Sequence, residues 1–278
     1  MIKPLYKIFL TSAVALLALA SAAKAQVVTV LDPLNNTLTS DYTTFHTLDN
    51  GSTGADSVAF VETSGSLTVN FVGSTNVAEQ ALYLAPATDF SKTFAVGDTL
   101  FLDTNVAAGQ PTEDIGLAIS AANPVAENAG NGYNSRLLFD YADVSLRSSG
   151  NAAIVSTSIN GTLTSPSDVG IGSTGFVNAV YIDWLSNTGG VGGNQDVFSF
   201  GYIEGTTQFP LTTGTYEAGS TIGTDIGVYG DVRNAGEVLG SVSNLSLITP
   251  VPEPATWAAM VFGAAILLVA QRRRARSV

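Results

Sequence analysis

The 278-residue chain has no cysteine and a single histidine, His46. The first absence excludes a disulfide framework and a thiolate metal centre. The second excludes a two-histidine zinc site within one chain. Any Ser-His-Asp triad would have to use His46, and no Gly-x-Ser-x-Gly elbow is present. No long stretch carries apolar residues at three-four spacing with helix formers between them, so a helical domain is not indicated. Basic residues are also scarce. Between residues 26 and 250 they are Lys92, Arg136, Arg147 and Arg233.

That scarcity concentrates charge. The first 25 residues hold three of the 11 basic residues. The last 28 hold four more, with one of the 23 acids, Glu253. The part between therefore carries four basic and 22 acidic residues, a net charge of about −18. Such a surface repels nucleic acid and anionic lipid, so nucleic-acid binding is not expected. The acids are scattered, which suits a soluble protein outside the cell.

Both ends read as addresses. Lys3 and Lys7 precede the apolar run Ile8 to Ala20, and Ala23-Lys24-Ala25 places small residues around one position. This is the pattern of a secretory signal peptide, residues 1–25, cleaved by signal peptidase after Ala25. Its apolar run has 13 residues against the ~20 that span a bilayer. At the other end, residues 250–278 begin with Val251-Pro252-Glu253-Pro254. An apolar run from Ala255 to Ala270 follows, then Arg272, Arg273, Arg274 and Arg276. Residues 255–270 are expected to form a single transmembrane helix, with slight bilayer thinning or arginine snorkelling. The basic stub stays on the cytoplasmic side and the body outside.

These residues resemble the PEP-CTERM sorting signal. The match covers residues 251–278, with Pro252, Glu253 and Pro254 as the motif and the four arginines as the basic tail. The resemblance implies an exosortase, a membrane cysteine protease-transpeptidase of Gram-negative bacteria, as processing partner. It also implies a transient inner-membrane anchor, cleavage near the motif, and delivery to the cell surface or extracellular polysaccharide. The two prolines fit this, since they keep the preceding segment out of a helix or sheet ladder and open to a protease.

The body, residues 26–249, reads as strands. Ser66 to Val72 places Leu67, Val69 and Phe71 on one face, and Ala179 to Leu185 places Val180, Ile182 and Trp184 together. Val197 to Ile203 aligns Phe198, Phe200 and Tyr202. Asp225 to Arg233 aligns Ile226, Val228 and Val232, and Thr99 to Asp103 is a further strand. Turn clusters at Asp49-Asn50-Gly51, Asn131-Gly132, Ser149-Gly150-Asn151 and Asn160-Gly161 separate such runs. Asn187 to Asn194, rich in glycine, reads as a flexible loop. The expectation is an all-β fold, a single antiparallel β-sandwich of about a dozen strands. The closing strands, FVNAVYIDWLS, DVFSFGYIEG, IGVYGDVR and LGSVSNLSLI, loosely resemble concanavalin-like jelly rolls of the legume lectin and glucanase kind. A pair of immunoglobulin-like domains is the alternative and predicts a break near the middle.

Chemistry is harder to find. No Glu-x-Asp-x-Glu strand is present, and Glu113-Asp114, Asp140 with Asp143, and Glu204 with Glu217 are poorly spaced to act as pairs. They read as solvated acids. No cofactor is implied. Calcium is the metal the composition permits, with Asp183, Asp196 and Asp231 as donors if their strands neighbour. Tyr229, Asp231 and Arg233 share the face opposite Ile226 and Val228, and Tyr181 with Asp183 share the face opposite Ile182. Each set suits carbohydrate, or alternatively cross-strand packing with a structural ion pair. The sequence thus points to a non-enzymatic, secreted structural or adhesive protein. A lectin-like module is the alternative, and a glycoside hydrolase the third reading.

Overall fold

A computed structural model describes residues 25–35, 42–48, 57–63, 65–72, 79–105, 114–120, 141–149, 152–159, 162–163, 169–171, 177–190, 193–216, 223–232, 238–251, 262–263 and 265–266. The chain divides into two compact units, residues 28–248 and the two ends, 1–27 with 249–278.

Sixteen strands are described: β1 Ala25–Asp32, β2 Thr43–Leu48, β3 Ser57–Thr63, β4 Ser66–Val72, β5 Glu79–Pro86, β6 Thr99–Asn105, β7 Asp114–Ser120 and β8 Tyr141–Ser149. They continue as β9 Ala152–Ile159, β10 Thr162–Leu163, β11 Val169–Ile171, β12 Val177–Gly190, β13 Gly193–Glu204, β14 Thr207–Tyr216, β15 Asp225–Val232 and β16 Val238–Val251. They form two antiparallel sheets. Sheet A runs β14-β13-β12-β6-β16-β4-β3, with β1 also on β16. Sheet B runs β10-β9-β8-β7-β15-β5-β2, with β11 on β9. Sheet A joins strands before residue 105 to strands after residue 177, so one sandwich spans both halves of the chain. A pair of sequential immunoglobulin-like domains does not describe it.

Alternation explains the layers. Along sheet A, Leu247, Leu100, Ile182 and Phe200 lie side by side, and the next inward row is Leu245, Leu102, Val180 and Tyr202. Sheet B answers with Ala85, Ile226, Ile119 and Ala142, then Tyr83, Val228, Leu117 and Val144. Most of these side chains are fully buried in one core. Each large apolar side chain contributes roughly 1.5–3 kcal/mol on burial, which is how the fold dispenses with disulfides. Gly230 breaks the inward row of β15 for a steric reason. A Cβ there would stand 2.8 Å from Cγ1 of Val69 on the facing sheet.

The glycine-rich stretch 187–194 departs from expectation. Thr188 pairs with Gln195, Gly189 with Asn194 and Gly190 with Gly193, so β12 and β13 stay laddered almost to their junction. Glycine weakens a strand without removing its backbone donors and acceptors, and antiparallel neighbours keep pairing through it. Of the turn clusters, Asn160-Gly161 and Gly150-Asn151 lie between paired strand ends, Ile159 opposite Thr162 and Ser149 opposite Ala152.

Pro252, Glu253, Pro254 and Arg272 to Arg276 lie outside the described residues, as does the leader before Ala25. Among the described residues no helix is long and apolar enough to cross a membrane. Within 255–270 only residues 262–263 and 265–266 are described. They are helical, with Phe262 70% and Ile266 59% exposed.

Candidate functional site

The outward face of sheet A gathers polar groups around an aromatic pair. On β6 the inward residues are Leu100, Leu102 and Thr104, so Thr99, Phe101 and Asp103 point out. On β12 the inward residues Val180 and Ile182 leave Tyr181 and Asp183 on the same outer face. Register sets Tyr181 opposite Phe101, Asp183 opposite Thr99, and Ala179 opposite Asp103. The result is a diagonal stripe: Asp183, the Tyr181–Phe101 pair, Asp103.

Each carboxylate is held. The Thr99 hydroxyl donates to Asp183 Oδ1. Asn244 Nδ2 donates to Asp103 Oδ2 at 3.0 Å. Burial pushes both carboxyls above the ordinary aspartate range, while these hydrogen bonds pull the other way. Tyr181 is 2% exposed. Its ring lies over Gly201, where a Cβ would come within 2.6 Å of Cζ and Oη. Burial first, then the nearby Asp183 charge, pushes the Tyr181 hydroxyl up, so it stays protonated and able to donate.

Asn244 owes its place to a bulge. Register between β16 and β6 slips between Ser243 and Leu245, and Asn244 takes a φ of 51°. Asparagine tolerates this left-handed conformation better than most residues. Sequence reasoning missed it, though a signal existed: Val242 and Leu245 are both buried yet three residues apart, which strict alternation forbids.

The two carboxylates of the stripe are widely separated. Asp103 sits opposite Ala179, four residues along β12 from Asp183, so their backbones stand about 13 Å apart. Retaining glycosidases need carboxyls ~5–5.5 Å apart and inverting ones ~6.5–9.5 Å. Tyr181 is too covered to offer a ring face, so the half-buried Phe101 is the ring of this stripe that a saccharide could stack on, with the two acceptors suited to its hydroxyls.

The other expected sites resolve differently. Tyr229 does lie opposite Ile226 and Val228, but it is only 5% exposed and clusters with Leu82, Leu84, Ala118 and Tyr141. It offers no open ring face. Asp231 pairs across its strands with Gln80 and Asp114, while its side chain and all of Arg233 lie outside the described residues. Asp183, Asp196 and Asp231 do not share a surface. Asp231 belongs to sheet B, Asp183 faces outward on sheet A, and Asp196 accepts from Nε1 of the core-packed Trp184 at 3.2 Å. Among the described residues no three histidine, cysteine or acidic side chains group as a metal site. Asp143 is buried rather than solvated. His46 lies on β2 opposite Ala81, and its side chain is outside those described. Trp184 is structural as well: its backbone N–H donates to Asp98 O at 3.0 Å and its carbonyl accepts from Gly97 at 2.7 Å.

No protein-family model and no curated protein matches the chain. Among solved structures it is similar to lectin II from Ulex europaeus, with 14% identity and a TM-score of 0.41, covering 76% of this chain and 99% of that one. A legume lectin-like domain from Entamoeba histolytica matches at 9% identity and 0.40, covering 76% and 91%. Lectin I-B4 from Griffonia simplicifolia, in a metal-free form, matches at 11% identity and 0.39, covering 81% and 98%. With TM-scores of 0.39 to 0.41, these likenesses bear on neither ligand nor residue role.

Proposed function

We propose that this chain is an exported, non-enzymatic protein of the bacterial surface or extracellular matrix that binds neutral polysaccharide on the outward face of sheet A. The observation that carries the reading is the stripe of Asp183, Tyr181, Phe101 and Asp103, two anchored acceptors either side of an aromatic pair. The net charge of the body, about −18, disfavours acidic glycans and nucleic acid and leaves neutral ones.

Export is the second half of the proposal. Signal peptidase removes the leader after Ala25. The helix 255–270 holds the chain in the inner membrane until an exosortase cuts near Pro252-Glu253-Pro254. What supports this is the sequence pattern at both ends. The body is then a concanavalin-like jelly roll whose role is adhesive or structural.

Affinity electrophoresis through gels containing neutral polysaccharides tests the binding half. The full chain is expected to be retarded, and the Asp183→Asn/Asp103→Asn double variant and Phe101→Ala are each expected to run free. Equal retardation of all three would overturn the assignment. Intact mass of the protein from cell envelope or medium tests the export half. A mass corresponding to residues 1–278 would overturn it.

A further inference from the structure

A second cluster of oxygen groups lies at one margin of the sandwich, where β3 of sheet A approaches β2 and β5 of sheet B. Its anchor is Asp32, the last residue of β1, which is fully buried at 0% exposure. Asp32 Oδ1 accepts the Leu34 N–H at 2.8 Å. Asp32 Oδ2 is buried and has no hydrogen-bond partner. A buried carboxylate oxygen left unpartnered is costly, so the site has room for a further ligand that carries positive charge.

Three more groups face it. Tyr42, just before β2, stacks on Tyr83 with ring centroids 4.4 Å apart and planes within 8°. Phe60 stacks on Tyr83 at 5.0 Å. The Tyr83 hydroxyl donates to Glu62 Oε1 at 3.1 Å. Burial, then the charge of Asp32 and a hydrogen bond to it, then the charge of Glu62, holds the Tyr42 hydroxyl far above the phenol range. The Tyr83 hydroxyl is raised by burial and by the same two acids, with Glu62 the stronger. Both phenols thus stand in the field of both carboxylates. Tyr83 spends its proton on Glu62. Tyr42 lies close enough to Asp32 for a hydrogen bond as well as the charge to raise its hydroxyl, but the contact falls outside well-formed hydrogen-bond geometry. Asp32 Oδ2 thus keeps no well-formed partner among the described residues.

We propose that Asp32, Glu62 and the Tyr42 hydroxyl hold a calcium ion that ties the two sheets together at this margin. Hard oxygen donors with two formal negative charges suit a divalent cation of that class, with water completing the shell. Only two carboxylates contribute, so the affinity belongs in the weak range of extracellular calcium modules, a dissociation constant of about 0.1–1 mM. The ion would substitute for the disulfides this chain lacks. The inference is independent of the polysaccharide reading, whose residues lie on the outward face of sheet A.

Terbium luminescence on the full chain tests it, because Tyr42 and Tyr83 would sensitise an ion bound at the end of their stack. Terbium emission excited through tyrosine is expected, displaced by calcium, together with a calcium-dependent rise in the unfolding temperature. Asp32→Asn keeps an acceptor for Leu34 and is expected to weaken calcium binding at least about tenfold. Glu62→Gln, at a partly exposed position, serves as the second variant and should weaken it similarly. Asp183→Asn and Asp103→Asn should leave it unchanged. No calcium-dependent shift in the parent chain means that Tyr42 alone satisfies Asp32 and overturns the proposal. Equal calcium binding by all four variants means diffuse binding to an acidic surface and overturns it as well.

Discussion

Asn244 donates its side-chain amide to Asp103 from a left-handed backbone position, φ 51°, at a bulge where β16 slips against β6. The bulge and the hydrogen bond depend on each other. Asn244→Gly keeps the backbone and loses the amide. Asn244→Ala loses the amide and also pays the left-handed penalty of roughly 1–2 kcal/mol. Urea unfolding should therefore rank parent, Gly variant and Ala variant in falling stability, with about 1 kcal/mol between parent and Gly for the hydrogen bond. An alanine variant as stable as the glycine variant would contradict the strained bulge.

Acid titration should expose the two outward carboxyls. Asp103 and Asp183 are raised from 3.8 by burial, against the pull of Asn244 and Thr99. A carboxyl raised by folding favours the folded state when protonated. Its contribution is fully present below the unfolded value and disappears as pH rises through the folded one. These two groups thus oppose acid denaturation. Asp183→Asn and Asp103→Asn should each steepen the loss of stability on acidification and be neutral or slightly stabilising at neutral pH. Thermal unfolding across the acid range checks this. A shallower acid slope in either variant would contradict the raised carboxyls.

Much of this was legible in the sequence, and the limit was physical. Leu67, Val69, Val180, Ile182, Phe198 and Phe200 announce strands because one face is apolar and the other polar. β7 and β15 were harder. Both bury residues on their two faces, Leu117 with Ala118 and Val228 with Tyr229, so period two is blurred. The same double burial made Tyr229 look like an exposed plate. Tyr181 and Asp183 were visible as a pair, but Asp103 and Asn244 join them only through register, which alternation in one strand cannot reveal.

Tyr229 and Phe101 should separate stability from binding. Tyr229 is packed among Leu82, Leu84 and Tyr141, so Tyr229→Ala leaves a cavity and should cost about 3 kcal/mol or more. Phe101 is only partly buried on the outer face, so Phe101→Ala should cost less than half as much while abolishing retention on polysaccharide. Denaturant midpoints and affinity electrophoresis on both variants check the pair. A Phe101 variant that still binds would remove the aromatic strip from the site.

Gly201 links the fold to the same face. A Cβ there would meet the backbone oxygen of Phe209 at 2.3 Å and the Tyr181 ring at 2.6 Å. The Phe209 oxygen belongs to the neighbouring strand and cannot yield without breaking the β13–β14 ladder, which already shifts register between Phe200 and Gly201. Tyr181 can yield only by lifting off the sheet, away from its place between Phe101 and Asp183. Gly201→Ala is therefore expected to cost about 1–3 kcal/mol from overpacking and to weaken polysaccharide binding. The expected signature is a change in near-ultraviolet circular dichroism from the displaced ring, alongside the loss of retention. An alanine variant with parental spectrum and parental binding would mean that the ring does not rest on Gly201.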